Sequence, residues 1–331
     1  MFHQKSIKKG VILLLATFTF GMTAVNTANA SYVPNYDYAD NADSLGTNKL
    51  ITSATGLNQL KNSAKAAAAM DYNSGQFVYS KNGTTKYAIA STTKLMTLYL
   101  AIQKAKQLGQ WNHKVRISSS LSKMSKSSDL GNFRMNTGSY YTVHSLYKAA
   151  LIASSNSAAI ALGQYVAGSN NRFITMMNKQ ADAWDINNQA HFVSASGLEN
   201  SDLYRYGFKY GSKHDYNKVS ARALAIIAHH ILSLYPSIVN DADHRYASLD
   251  GQTLKNENEL LPGGNSYIPA LKVDGLKTGY TPLAGYCLVS TSKKNNHRLI
   301  VVTLNDKNGS HDQAKMITAI YKYSSLFNSN M

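Results

Sequence analysis

An α+β fold, an antiparallel sheet with helices on its faces, is what this sequence predicts, and three observations predict it. The turn residues Asp71-Tyr72-Asn73-Ser74-Gly75 separate two short runs, 66–70 and 76–79, as in a hairpin. Towards the other end, apolar runs at 286–290 and 298–304 flank the polar Lys293-Lys294-Asn295-Asn296 and read as antiparallel neighbours. Between these pairs, apolar residues recur at three-and-four spacing, the mark of amphipathic helices.

In chain order, residues 1–30 read as a secretory signal peptide: basic Lys5, Lys8 and Lys9, an apolar stretch from 11 to about 25, and small Ala28 and Ala30. A retained anchor is the competing reading, but a membrane span needs roughly 20 apolar residues and this stretch is shorter. Cleavage after Ala30 leaves Ser31 first. Residues 31–56 are rich in Asn, Asp, Tyr, Ser and Gly without apolar period and predict a flexible lead. The domain then runs from 57 to 331.

Within it, alanine at 66–69 is a poor strand former on propensity, so the hairpin rests on its turn. From Ser91, apolar Leu95, Leu98, Tyr99, Ile102 and Ala105 predict a helix ending near Gly109. A second helix is expected from an N-cap at Thr142 through Val143, Leu146, Tyr147, Ala150 and Leu151. Ser154-Ser155-Asn156 interrupts it before the helical pattern resumes over 158–166. Lys277 is placed on or before the first strand of the C-terminal pair, and a last helix over 312–326 carries Ala314, Ile317, Ile320 and Tyr321 on one side. No internal repeat and no second domain after that helix is read.

The chain of 331 residues carries +16, and the leader's three lysines account for three of these, leaving +13 for the exported part. Such a surface favours an anionic polymer. Export makes a wall polymer bearing phosphate or carboxylate the expected counterion, and nucleic acid is set aside because no basic stretch interleaved with aromatics is read. Cys287 is the only cysteine, so no internal disulfide forms, and its apolar run 284–289 marks it as a small buried hydrophobe rather than a nucleophile.

Three short motifs stand in order: Ser91-Thr92-Thr93-Lys94, Ser154-Ser155-Asn156 and Lys277-Thr278-Gly279. Together they supply a nucleophile, a base and an electropositive strand. Serine-x-x-lysine also occurs at Ser6/Lys9, Ser120/Lys123, Ser145/Lys148 and Ser290/Lys293. Ser6 lies in the leader, Ser120 in a serine-rich loop, Ser290 in a strand where i and i+3 face opposite sides, and Ser145 on the polar face of a helix.

Ser91 and Lys94 share a helix face, so the amine reaches the hydroxyl. Lysine serves as a base only where its ammonium is destabilised, by burial or by a second cation such as Lys277. The alternative is that Lys94 snorkels from the helix. Ser154 and Asn156 either present a proton relay and an amide to a cleft or cap the next helix. Lys277 and Thr278 offer a cation and a hydroxyl, while Gly279 lets a substrate backbone approach the strand edge. The backbone amides of Ser91 and Tyr280 are the candidate oxyanion donors. The ten histidines show no zinc-type spacing with carboxylates, so no metal is expected, and the chemistry needs no cofactor.

With these residues placed, the chain resembles the serine D-alanyl-D-alanine carboxypeptidases, the low-molecular-mass penicillin-binding proteins. The likeness spans roughly 57–326 and extends to the blocks 88–97, 151–158, 196–198, 273–279 and 284–286. It implies a penicillin-binding protein/β-lactamase-like fold: an antiparallel sheet flanked by helices, plus a helical lobe. It also implies a reaction in which Ser91 attacks the carbonyl between two terminal D-alanines of a peptidoglycan stem peptide, with β-lactams as covalent inhibitors.

The chain departs from the family where Ser155, Ser157 and Ala223 replace the usual glycine and two aspartates, and no late arginine is found around 307–312. Rate and substrate are what these departures touch. No appended β-rich domain and no C-terminal membrane anchor are read, so the expected product is secreted or wall-associated. Related readings are a D,D-endopeptidase, an esterase on D-alanylated wall polymer, a non-catalytic wall-binding relative, and a β-lactamase using Glu199 to activate water.

Overall fold

The computed structural model describes residues 60–324, 326 and 327, so the leader, the polar lead and residues 57–59 lie outside the described residues. Strands β1 (Ala66–Asp71), β2 (Phe77–Lys81) and β3 (Lys86–Ala88) precede helix α1 (Lys94–Leu108). Then come β4 (Lys114–Arg116), α2 (Ser119–Ser125), β5 (Tyr140–Thr142), α3 (Val143–Leu151), α4 (Asn156–Ala167), α5 (Asn170–Ala183), β6 (Ala190–His191) and α6 (Asn200–Tyr204). The chain continues through β7 (Lys218–Ser220), α7 (Ala221–Leu234), α8 (Ile238–Ala242), β8 (Tyr246–Leu249) and β9 (Gln252–Lys255). It closes with β10 (Val273–Thr281), β11 (Gly285–Lys294), β12 (His297–Asp306) and α9 (Ser310–Tyr323).

The main sheet has five strands in the order β10-β11-β12-β1-β2, every neighbour antiparallel. Both ends of the domain meet in it, because β1 pairs with β12 from Ala66 opposite Leu304 to Asp71 opposite Leu299. Its side chains alternate between two cores, as the period of a strand requires. Ala66, Ala68, Met70, Ile300, Val302 and Leu304 face the large helical core. Ala67, Ala69, Leu299 and Val301 face a second core under α9. A sheet covered on both faces explains why β1 is buried along its whole length. Small alanines suit that strand because α7 packs directly on it, so packing overrides propensity.

Several expectations are met closely. The hairpin at 66–81 forms, α1 ends at Gly109 in the left-handed region (φ 63°), and Thr142 caps α3 by accepting from Ser145 N at 3.0 Å. Others shift. Lys277, expected on or before the first strand of the C-terminal pair, lies before it on β10, a further strand at the sheet edge, opposite Val289 of β11. Ser120 and Lys123 sit on the short helix α2, not in a loop, and Lys123 is exposed. Residues 204–218 do interleave aromatics with cations, contrary to the reading above, but the cations cover the chain's own rings. Arg205 lies 5.1 Å over Tyr206, Lys209 5.8 Å over Tyr204 and Lys218 4.7 Å over Tyr216.

Cys287 is buried, its thiol pushed up to about 12 by desolvation, with Sγ against the carbonyls of Ala88 and Ala284. That is the environment of an inert packing residue. No helix among the described residues is long and apolar enough to cross a membrane.

Candidate active site

Ser91 does not begin the α-helix itself. It lies in a 3-10 turn, Ala90–Thr93, that leads into α1, and Lys94 is the first α-helical residue. The tighter turn still brings i and i+3 to one side. The segment before it is held in an unusual shape: Ala90 has φ 44°, and Gly197, at φ +89°, passes so close that a Cβ there would lie 1.9 Å from the Ala90 carbonyl oxygen. Only glycine fits that crossing. From the other side β10 presses in, and a Cβ on Gly279 would sit 2.9 Å from Ser91 N. The serine backbone is thus clamped between two glycines contributed by distant parts of the chain.

Lys94 is fully buried, and its Nζ has three partners: Ser91 Oγ at 2.7 Å, Asn156 Oδ1 at 2.9 Å and the Ser196 carbonyl at 2.7 Å. Two of these can only accept, while the third is a hydroxyl. An ammonium donates to all three, and a neutral amine donates to the two carbonyl oxygens with its lone pair directed at the Ser91 hydroxyl, so either protonation state satisfies the set. Burial, reinforced by the nearby charge of Lys277, holds the Lys94 ammonium well below the ordinary lysine value. It is the electrostatics that favours the neutral form, in an amine placed within reach of the Ser91 hydroxyl, and the snorkelling alternative does not hold for a side chain this buried.

The middle motif divides its labour. Ser155, not Ser154 or Asn156, caps α4, accepting from Ala158 N at 3.3 Å. Asn156 is freed for the site: Oδ1 faces Lys94, and Nδ2 donates to the Leu130 carbonyl at 3.1 Å. Ser154 adopts φ 57° and is partly exposed, and among the described residues its hydroxyl has no hydrogen-bond partner.

On β10, Lys277 is buried and its ammonium is pushed down to about 8 by desolvation, against which the carboxylate of Glu257 acts. Its Nζ donates to the Thr278 carbonyl at 3.0 Å. Thr278, Gly279 and Tyr280 line an open groove of about 340 Å³ together with Glu257 and Lys307. Tyr280 and its cross-strand partner Tyr286 are both more than half exposed, with ring centroids 4.7 Å apart. The structure thus brings together Ser91, Lys94 and Asn156, and sets Gly279 of the third motif against the backbone of Ser91.

Some contributors carried no signal in the sequence. Asn217 ties the serine turn to the neighbouring segment, donating to Thr93 Oγ1 at 2.8 Å and accepting from Val193 N at 2.7 Å and Ser194 N at 2.9 Å. The carbonyls of Ser196 and Leu130 act through backbone atoms that any residue would supply. Glu199 takes the N-cap position of α6, and no hydrogen bond joins its carboxylate to Ser91 or Lys94 among the described residues. No group of three or more metal-binding side chains occurs among the described residues.

A serine on a tight turn at the head of a helix, a buried lysine against its hydroxyl and a cationic edge strand stand together here on a penicillin-binding protein/β-lactamase-like fold. The chain belongs to the Peptidase S11 family, D-alanyl-D-alanine carboxypeptidase, whose model matches residues 53–308. It is 31% identical over 251 residues to D-alanyl-D-alanine carboxypeptidase DacF of Bacillus subtilis, an alignment covering 74% of this chain and 58% of that protein. The chain thus spans a little over half the length of the curated relatives it matches first. Among solved structures it is similar to the peptidoglycan synthesis regulatory factor PBP3 of Streptococcus pneumoniae, with TM-score 0.73, 32% identity, and coverage of 78% and 74% of the two chains. It also resembles penicillin-binding protein D2 of Listeria monocytogenes in its ampicillin-bound form, with TM-score 0.62, 27% identity, and coverage of 80% and 99%.

Proposed function

We propose that this protein is a secreted serine D,D-carboxypeptidase that removes the terminal D-alanine from peptidoglycan stem pentapeptides through an acyl-enzyme on Ser91. The observation that carries the reading is a fully buried Lys94 whose Nζ lies 2.7 Å from Ser91 Oγ, where burial and the charge of Lys277 destabilise its ammonium. Family membership supports the substrate class.

In this mechanism the Lys94 amine takes the Ser91 proton as Oγ attacks the carbonyl of the penultimate D-alanine. The amides of Ser91 and Tyr280 receive the developing oxyanion. The Ser154 hydroxyl passes a proton to the leaving amine, D-alanine departs, and water hydrolyses the ester to restore Ser91. Lys277 and Thr278 hold the terminal carboxylate, a task suited to a cation beside a hydroxyl on an exposed strand edge. A β-lactam, whose strained amide also presents a carbonyl and a carboxylate, would acylate the same serine. Export by the leader and electrostatic retention by an anionic wall complete the proposal.

The direct test is D-alanine release from a pentapeptide ending in D-Ala-D-Ala by the purified protein; no release would send the reading to cross-linked or esterified wall substrates. A pH profile tests the role of Lys277. If its cation holds the substrate carboxylate, kcat/KM falls as pH rises through about 8, where the free enzyme loses that proton. Glu257 opposes the depression of Lys277, so Glu257→Gln is expected to move this alkaline limb to lower pH. An unmoved limb would separate Glu257 from Lys277.

A further inference from the structure

Helix α9 turns His311, Lys315, Thr318 and Lys322 outward, spaced so that successive side chains rise about 4.5–6 Å along one face. Beside them runs a groove of about 310 Å³ with Ala314, Ala319 and Ile268 among its lining residues. Lys272, exposed at the end of the 3-10 turn Pro269–Leu271 that packs on α9, adds a further cation to this side of the molecule. The only acids between 299 and 324 are Asp306 and Asp312, exposed by 2% and 1%. Both are turned inward, where they bind Ser63 and Asn308.

The exposed side of α5 carries both signs, with Arg172, Lys179 and Asp182. On α9 the signs are segregated, cations outside and carboxylates inside. Single-sign charge along a groove concentrates an oppositely charged polymer.

We propose that this face is a docking groove for a linear phosphodiester polyanion of the cell wall, a proposal that rests on the wall function above. A groove lined by Lys315 and Lys322, with Lys272 exposed on the same side, suits a flexible phosphodiester chain. A lipid bilayer would require a broad apolar face to insert, and the large apolar side chains exposed near this groove are Tyr267 and Ile268, at 37% and 42%. Docking there would keep the enzyme on its substrate mesh.

The experiment measures binding of the purified protein to soluble poly(glycerol phosphate) against salt, for wild type, for Lys315→Gln/Lys322→Gln, and for the charge-matched control Lys123→Gln/Lys179→Gln on α2 and α5. The α9 variant is expected to bind about tenfold more weakly at low salt, with a log-log salt slope shallower by about 1.4, and the control to stay close to wild type. Equal weakening in both variants, no binding by wild type, or tighter binding to phosphatidylglycerol vesicles than to the polymer would each overturn the proposal. D-Alanine release is measured on the same preparations and is expected to be equal in all three. Absent release with intact polymer binding would strike the catalytic reading and leave the docking face standing.

Discussion

Ser91→Ala is expected to lower D-alanine release at least about a thousandfold and to abolish the covalent β-lactam adduct detected by mass spectrometry. The loss is large because no other group can replace the nucleophile. Lys94 then faces an inert methyl, and the Ser154 hydroxyl sits on the following motif with no base of its own. The fold should be undisturbed, since Ser91 is partly exposed and, among the described residues, its hydroxyl bonds only to Lys94. A thermal midpoint within a few degrees of wild type would show that chemistry alone was removed. Substantial release by Ser91→Ala would refute the acyl-enzyme reading, whatever the family resemblance.

The three motifs were legible because their chemistry lies in side chains at fixed short spacing. Ser91 and Lys94 belong to one turn, and Gly279 had a reason to be glycine that the structure then supplied at Ser91 N. What hid from the sequence was mostly backbone. The carbonyls of Ser196 and Leu130 hold Lys94 and Asn156, and a carbonyl leaves no trace in residue type. Asn217 is equally silent, since one asparagine before a strand is a common turn residue.

Local rules failed where tertiary packing decided. The alanines of β1 looked unlike a strand until α7 was found lying on them, where larger side chains would hold the helix away from the sheet. The serine turn read as α-helix because i and i+3 meet in both helix types, and spacing alone cannot tell them apart. Ser154 and Asn156 were the cap candidates in the sequence; the structure gives the cap to Ser155 and leaves Ser154, with its left-handed backbone, out of that role. The segregation of charge on α9 was invisible in a net charge, because it depends on which way Asp306 and Asp312 point.

Lys94→Met separates the base from the scaffold. Activity is expected to fall about a thousandfold or more, and Lys94→Arg should not restore it, because a guanidinium does not release its proton and so cannot accept one from Ser91. The stability of the same variants carries a second, independent signature. Lys94 in the folded protein titrates well below the 10.5 of a free lysine, so between those values the unfolded chain binds a proton that the native chain does not. Stability contributed by this group therefore rises with pH across that window and is lost as pH falls through the native value. Methionine has no such dependence, and Lys277 is retained in both proteins. The thermal midpoint of wild type relative to Lys94→Met should then climb as pH is raised from neutral towards 10.5. A difference independent of pH would mean that Lys94 keeps an ordinary ammonium in the folded protein, and the Ser91 proton would need another acceptor.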